Sequence, residues 1–342
     1  VAGIDGDANP YQTLMVEGLA RSGRVVPLRG ASGKHLAALR SVLLHRPRYL
    51  HYDWNYAYFI RRWRPLTWIS AALFLLEVAV VRWMFRCDVV WTLHNIESHD
   101  RRQPLAERLV QRIFARMCRW VRVMYPSSVA RAVEYLGIPA ERIRVVPMGS
   151  YAVRYPDEVG RDEARRALGI GDGAFVVLHM GVMRANKGID VLIDAVRENP
   201  APELRLLVVG PSKPPEYGDA LAAAADDPRV SVRVAFVPDE RMQDYLNAAD
   251  VVALPFAQIE NSSSVVLAMA FGKPILSPAL GVLPEQLAQQ AELLYAPGGL
   301  EDALERARTM APERLAALGE ANRAVISACR WEDFAALFAP DE

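Results

Sequence analysis

Three hydroxyls in a row, Ser262-Ser263-Ser264 after Asn261, run straight into the apolar stretch Val265–Ala270, which Gly272-Lys273-Pro274 closes. The pattern reads as a loop opening a helix that packs on a sheet, with a strand resuming at Ile275-Leu276. The first N–H groups of a helix lack partners within it and its dipole is positive there, so small hydroxyls at that point suit an anion. An ordinary serine N-cap is the plainer reading of this stretch taken alone. A second stretch shifts the balance. Val176–Met180 reads as a strand ending at Gly181, then a loop carries Arg184 and Lys187, and a helix follows Gly188. Two anion-seeking loops in one half of an α/β chain suggest a diphosphate held between them. Gly181, Arg184, Lys187, Asn261, Ser262, Ser263 and Ser264 are its candidate ligands.

A third cluster is Trp91-Thr92-Leu93-His94-Asn95-Ile96-Glu97-Ser98-His99-Asp100. It follows a strand directly, so its polar groups belong at the carboxyl end of a sheet, where open α/β sheets bind ligands. Arg101, Arg102, Arg108, Arg112, Arg116, Arg119 and Arg122 follow, several three or four apart and so on one helix face. Such a face usually meets solvent; here it adds to a positive half.

The elements that must position these groups alternate along 342 residues, enough for two domains each with a core. Strands are expected at Val1–Ile4, from Val25-Val26, and at Tyr49–Tyr52, Val89–Leu93, Val121–Tyr125 and Arg144–Val146. A polar stretch, residues 152–173, reads as a linker. Beyond it strands are expected at Phe175–Met180, Arg205–Val209, Val232–Phe236, Val251–Leu254, Ile275–Leu276 and Leu293–Tyr295, and final helices at Glu301–Arg308, Arg314–Ile326 and Trp331–Phe338. The loop after the first strand lacks a full Gly-x-Gly-x-x-Gly fingerprint. The domains are 1–155, 156–328 and a C-terminal helix, 329–342, that could cross back to the first.

The formal net charge of zero hides an asymmetry: residues 1–155 hold 23 Lys/Arg against 11 Asp/Glu, and residues 156–342 hold 17 against 29. The first half then faces an anionic partner, with nucleic acid, a membrane surface or a phosphorylated acceptor in view, unless it is a solvated Arg-rich surface. Cys87, Cys118 and Cys329 lie far apart with no metal spacing and read as reduced thiols of a cytoplasmic protein. The sequence begins at Val1 and shows no signal-peptide pattern. Leu66–Val81 is apolar apart from Thr67, Ser70 and Glu77 and has Arg and Trp at both ends. It is marginal for a membrane span. A helix in the headgroup layer and a helix buried on nearly all sides are equal readings.

Together these pieces resemble the GT-B glycosyltransferases of the family 4 clan. The carriers are Gly181 to Lys187-Gly188 and Leu267-Ala268-Met269-Ala270-Phe271-Gly272-Lys273-Pro274. Asn9-Pro10-Tyr11-Gln12, Trp91–Asn95 with His99-Asp100, Pro147–Tyr151 and Arg184–Gly188 are similar to its bacterial exopolysaccharide mannosyltransferase-like branch. The resemblance implies an α/β GT-B fold, two Rossmann-like parallel-sheet domains facing each other across a cleft. It also implies a metal-independent hexosyltransferase. A nucleotide diphosphate sugar, GDP-mannose first and UDP-sugars next, would serve as donor substrate in the second domain with no other cofactor. A lipid-linked or glycan acceptor would bind the first, at the inner face of the cell membrane. Arg184 and Lys187 match the family's diphosphate-binding cations. The family's two glutamates eight positions apart would fall on Ile259 and Leu267, so the usual carboxylate contact to ribose is missing. The branch includes inverting enzymes, which need a general base. His94, Asp100 and Glu97 are candidates, with Asp5 or Asp7 as outsiders. An equal alternative has His94 bonding a donor sugar or backbone and Asp100 capping the next helix. The runner-up function is a catalytically inactive GT-B scaffold in a glycan-assembly complex. Nucleic-acid binding is weaker, since stacking aromatics and a compact basic motif are not arranged as in known modules. A pyridoxal phosphate phosphorylase would need a longer chain and a lysine suited to a Schiff base.

Overall fold

The computed structural model describes residues 10–28, 30, 36–96 and 103–338. The chain divides into two compact units, Val1–Met148 with Arg330–Glu342, and Gly149–Cys329.

In the first unit β1 (Tyr49–Tyr52), β2 (Asp88–Thr92), β3 (Trp120–Val123) and β4 (Ile143–Val145) form a parallel sheet in the order β1-β2-β3-β4. Its helices are α1 (Tyr11–Arg21), α2 (Ala37–His45), α3 (Tyr56–Phe59), α4 (Arg64–Ala79), α5 (Pro104–Met117) and α6 (Ser128–Leu136). Trp91, Phe74 and Phe114 meet in the core beside Tyr52. The Trp91 indole Nε1–H donates to the Asp53 carbonyl at 3.1 Å and so fixes the backbone just past β1. The expected strand Val1–Ile4 lies outside the described residues. Val25-Val26 is not a strand: Val26 is 84% exposed, so that short apolar run has no face to bury.

The C-terminal segment Trp331–Phe338 is a 3₁₀ helix against α1. A Cβ at Gly18 would lie 2.3 Å from that of Trp331, so only glycine admits the approach. Arg122 on β3 is fully buried. Its guanidinium donates to the carbonyls of Val146 and Pro147 and to the Tyr11 hydroxyl, and it lies 3.9 Å over the Phe334 ring. The basic helix face expected from Arg101 to Arg122 is therefore corrected in part. Arg119 and Arg122 lie beyond α5, Arg119 pairs with Asp88, and Arg112 donates to the Tyr135 carbonyl.

The second unit holds a parallel sheet in the order β10-β9-β8-β5-β6-β7. Its strands are β5 (Phe175–Met180), β6 (Leu204–Gly210), β7 (Val230–Val234), β8 (Val251–Ala253), β9 (Ile275–Pro278) and β10 (Leu294–Tyr295). Strand order reverses between β5 and β8, and the carboxyl ends of those two strands are where such sheets open a crevice. The helices α7 (Arg161–Ala167), α8 (Ile189–Glu198), α9 (Pro215–Ala224), α10 (Met242–Ala248) and α11 (Ser263–Ala270) lie between strands or precede them. The expected linker 152–173 is instead part of this unit. Buried Arg165 on α7 donates to the carbonyls of Ala174 and Ala248 and pairs with Asp250, which anchors the stretch to this unit.

Candidate active site

Both anion-seeking loops of the second unit sit at the reversal of its sheet. One leaves β5 and enters α8; the other leaves β8 and enters α11. They touch at three places. A Cβ on Gly181, whose φ is +140°, would stand 2.8 Å from the Ser264 hydroxyl. A Cβ on Gly188, at φ +63°, would stand 2.2 Å from the Pro255 carbonyl oxygen. Between these points Ala257 N–H donates to the Asn186 carbonyl at 3.1 Å. Beneath the loops, buried His179 joins β5 to β8 through Nδ1 and the Ala253 carbonyl at 2.9 Å. Burial holds its pKa down at about 4, so the ring is neutral.

The loop that carries Gly181, Arg184 and Lys187 thus packs on the loop that carries Asn261, Ser262, Ser263 and Ser264, with Gly181 against Ser264. Ser262 is the residue before α11, with extended φ and ψ, yet its side chain makes no capping bond to the helix. The N–H groups of the first turn keep their reach for an acceptor from outside. Arg184 and Lys187 pair with no carboxylate among the described residues. The Lys187 ammonium lies 4.5 Å from the centroid of the Phe256 ring instead. Burial, then the charge of Arg184, lowers its pKa to about 8. Two adjacent uncompensated cations at a helix start are a site suited to an oxyanion pair.

A cavity of about 640 Å³ lies at the opposite, amino ends of β5, β8 and β9. Its arginines are paired, Arg161 and Arg165 with Asp250, Arg308 with Glu203 and Glu305, and Arg323 with Asp157 and Glu320, while Lys273 donates to the Ala249 carbonyl.

In the first unit His94 stands past the end of β2 and Asp53 past the end of β1. Asp53 Oδ1 lies 2.9 Å from His94 Nε2, and Gln12 Nε2 donates to Oδ2 at 3.1 Å. Burial opposes charge on Asp53, but the His51 ring and the bonds from His94 and Gln12 outweigh it and hold the carboxyl well below its usual range. A carboxylate only accepts, so Nε2 of His94 carries the proton of that bond, which leaves Nδ1 as the ring's other nitrogen. Trp54 stacks on the His94 ring at 4.3 Å and 15°, and Tyr11 meets it edge-on at 4.9 Å. The other two candidate bases, Glu97 and Asp100, lie outside the described residues, as do the outsiders Asp5 and Asp7.

Residues 174–311 match the model for glycosyl transferases group 1. The second unit is a group 1 glycosyltransferase domain. Group 1 glycosyltransferases draw sugar from a nucleotide sugar, and the match falls on the unit that holds both anion-seeking loops. It is 26% identical over 280 residues to a GDP-mannose:glycolipid 4-beta-D-mannosyltransferase of Xanthomonas campestris pv. campestris, covering 80% of this chain and 71% of that protein. It is 32% identical over 221 residues to a D-inositol 3-phosphate glycosyltransferase of Nocardia farcinica, covering 59% and 48%. Among solved structures, sucrose-phosphate synthase from Thermosynechococcus elongatus superposes with a TM-score of 0.71 at 20% identity, over 98% of this chain and 78% of that one. Anabaena Alr3699/HepE in complex with UDP-glucose does so with 0.64 at 22% identity, over 77% and 75%. The fold of this glycosyltransferase is α/β and GT-B, as its motifs imply.

Sequence reasoning missed Asp53, Gln12 and Trp54, which surround His94 in the candidate site, and Phe256 beneath Lys187. Asp53 directly follows the expected strand Tyr49–Tyr52, as His94 follows Val89–Leu93, but nothing in the sequence pairs the two. The glutamate positions of the resembling family hold Ile259 and Leu267 here, and Leu267 is half-buried on α11.

Proposed function

We propose that this glycosyltransferase moves a hexose, mannose in the first instance, from a GDP-sugar to a lipid-linked or glycan acceptor, with inversion and without a metal. The uncompensated Arg184 and Lys187 beside the open start of α11 carry the reading. As the glycosidic bond breaks, charge grows on the leaving diphosphate, and fixed cations and N–H groups stabilise it there with little reorganisation. Arg184 can fork two phosphate oxygens, whereas Lys187 supplies a point charge.

Inversion requires the acceptor hydroxyl to give up its proton as its oxygen bonds the anomeric carbon and the carbon–phosphate-oxygen bond breaks. In the first unit, Nδ1 of His94 is the base suited to that proton. Asp53 holds the ring's other N–H and stabilises the imidazolium that results. The 4-beta-mannosyltransferase named for GDP-mannose and glycolipid supports the choice of donor and acceptor. A thermal-shift panel of GDP-, UDP- and ADP-sugars tests the donor. A GDP-sugar should raise Tm most; no shift with any of them at millimolar concentration would end the reading.

A further inference from the structure

Helix α4 buries Thr67, Ser70 and Glu77 and exposes a stripe of aliphatic side chains. Thr67, Ser70, Phe74, Glu77 and Val81, spaced three or four apart, form the buried stripe through α4 and the π turn Val80–Met84 that continues it. Leu66, Ile69, Leu73 and Leu76, each a residue earlier, form the facing stripe and are 43–62% exposed. Two of the polar groups inside, Thr67 and Glu77, have partners. Thr67 Oγ1 accepts from Arg61 N–H at 2.9 Å. The Glu77 carboxylate accepts from the N–H groups of Leu36 and Leu39 at 3.1 and 3.0 Å, and so serves the start of α2, which has no side-chain cap of its own. Nothing among the described residues accounts for the aliphatic stripe outside.

The ends of that stripe indicate its partner. Trp63 and Trp68 at one end and Trp83 at the other are exposed. Arg62 and Arg64 precede the stripe and Arg86 follows it. All three are exposed and pair with no carboxylate among the described residues. Apolar side chains bounded by Trp and unpaired Arg at both ends match the layering of a bilayer surface, with acyl chains at the centre and anionic headgroups around them. The segment Arg64–Met84, at 21 residues, is long and apolar enough to cross a membrane. Its other side, though, is built into the core with Phe74, Val78 and Val81, which fixes it lengthwise on the first unit.

We propose that the exposed face of α4 is a docking surface for an anionic phospholipid bilayer, with Leu66, Ile69, Leu73 and Leu76 at the acyl boundary and the flanking arginines at the phosphates. The proposal is independent of the sugar chemistry, because donor binding is read in the second unit by thermal shift.

The test is co-sedimentation with vesicles of phosphatidylglycerol and phosphatidylethanolamine, against vesicles of phosphatidylcholine alone. Wild-type protein should partition to the anionic vesicles, and brominated lipid should quench its tryptophan emission. Ile69→Asp with Leu73→Asp should weaken partition by about tenfold or more while Tm and the nucleotide-sugar shift stay as in wild type. Arg62→Ala with Arg64→Ala and Arg86→Ala should erase the preference for anionic vesicles. Wild-type protein remaining in the supernatant, or an aspartate variant that folds and binds as well as wild type, would overturn the proposal. So would light scattering that shows the stripe holding two copies of the chain together without vesicle binding.

Discussion

The 2.9 Å bond between Asp53 and His94 decides which nitrogen of the histidine is basic. With Nε2–H committed to a buried carboxylate, a proton can be taken only at Nδ1. Asp53→Asn would let the amide present either a donor or an acceptor and release that choice. It should lower kcat by about 10²–10³-fold with little change in donor KM. His94→Ala should cost at least as much. Steady-state kinetics with saturating donor check both, and an Asp53→Asn enzyme of wild-type kcat would remove His94 as the base.

Arg184 and Lys187 should act on the leaving group. Each alanine substitution removes charge-assisted contacts worth roughly 2–3 kcal/mol, so kcat/KM should fall by about 30–150-fold. Circular dichroism melts should move little, because neither side chain holds another element in an ion pair. Loss of transfer with an unchanged melt separates a catalyst from a scaffold.

The pKa of Lys187, lowered to about 8 by burial and by Arg184, gives a pH signature. The free protein loses this charge as pH rises through about 8, so donor affinity should fall above that pH. Lys187→Arg should flatten the fall. The stability of the free protein moves the other way. Between about 8 and 10.5 the unfolded chain binds the extra proton, so this residue makes folding more favourable as pH rises through that window. Lys273, lowered to about 8 chiefly by burial, adds in the same direction. Calorimetric titrations and melts from pH 7 to pH 10 check the opposed trends.

Gly188 holds the two loops together at φ +63°, against the Pro255 carbonyl. Gly188→Ala adds both a strained backbone and a clash and should cost about 2–4 kcal/mol. Donor affinity should fall even where the protein still folds, because Lys187 is the preceding residue. Denaturant unfolding and donor titration of the same preparation measure the two effects.

Much of the fold was legible because its strands are short apolar runs closed by turn residues. From Tyr49 onward the expected strands lie within two residues of β1–β10. Val25-Val26 shows the limit, since two apolar residues without a paired neighbour do not make a strand. The loops of the second unit were legible because each is contiguous in sequence. Asp53 was not, because its partner His94 lies 41 residues away and only the β1–β2 pairing brings them together. Arg122 misled for the same reason: spacing placed it with a solvent-facing row, while carbonyls of residues 146 and 147 bury it. Leu66–Val81 read as uniformly apolar, and only packing shows that its few polar residues are the ones turned inward.

The central claim is that the Arg184–Lys187 loop and the serine-rich start of α11 hold the donor's diphosphate. Isothermal titration of wild-type protein and of the Arg184→Ala/Lys187→Ala variant with a GDP-sugar, at fixed salt, tests it most directly. The variant should bind at least about 100-fold more weakly with its melting temperature unchanged. Equal affinity in a folded variant would contradict the claim.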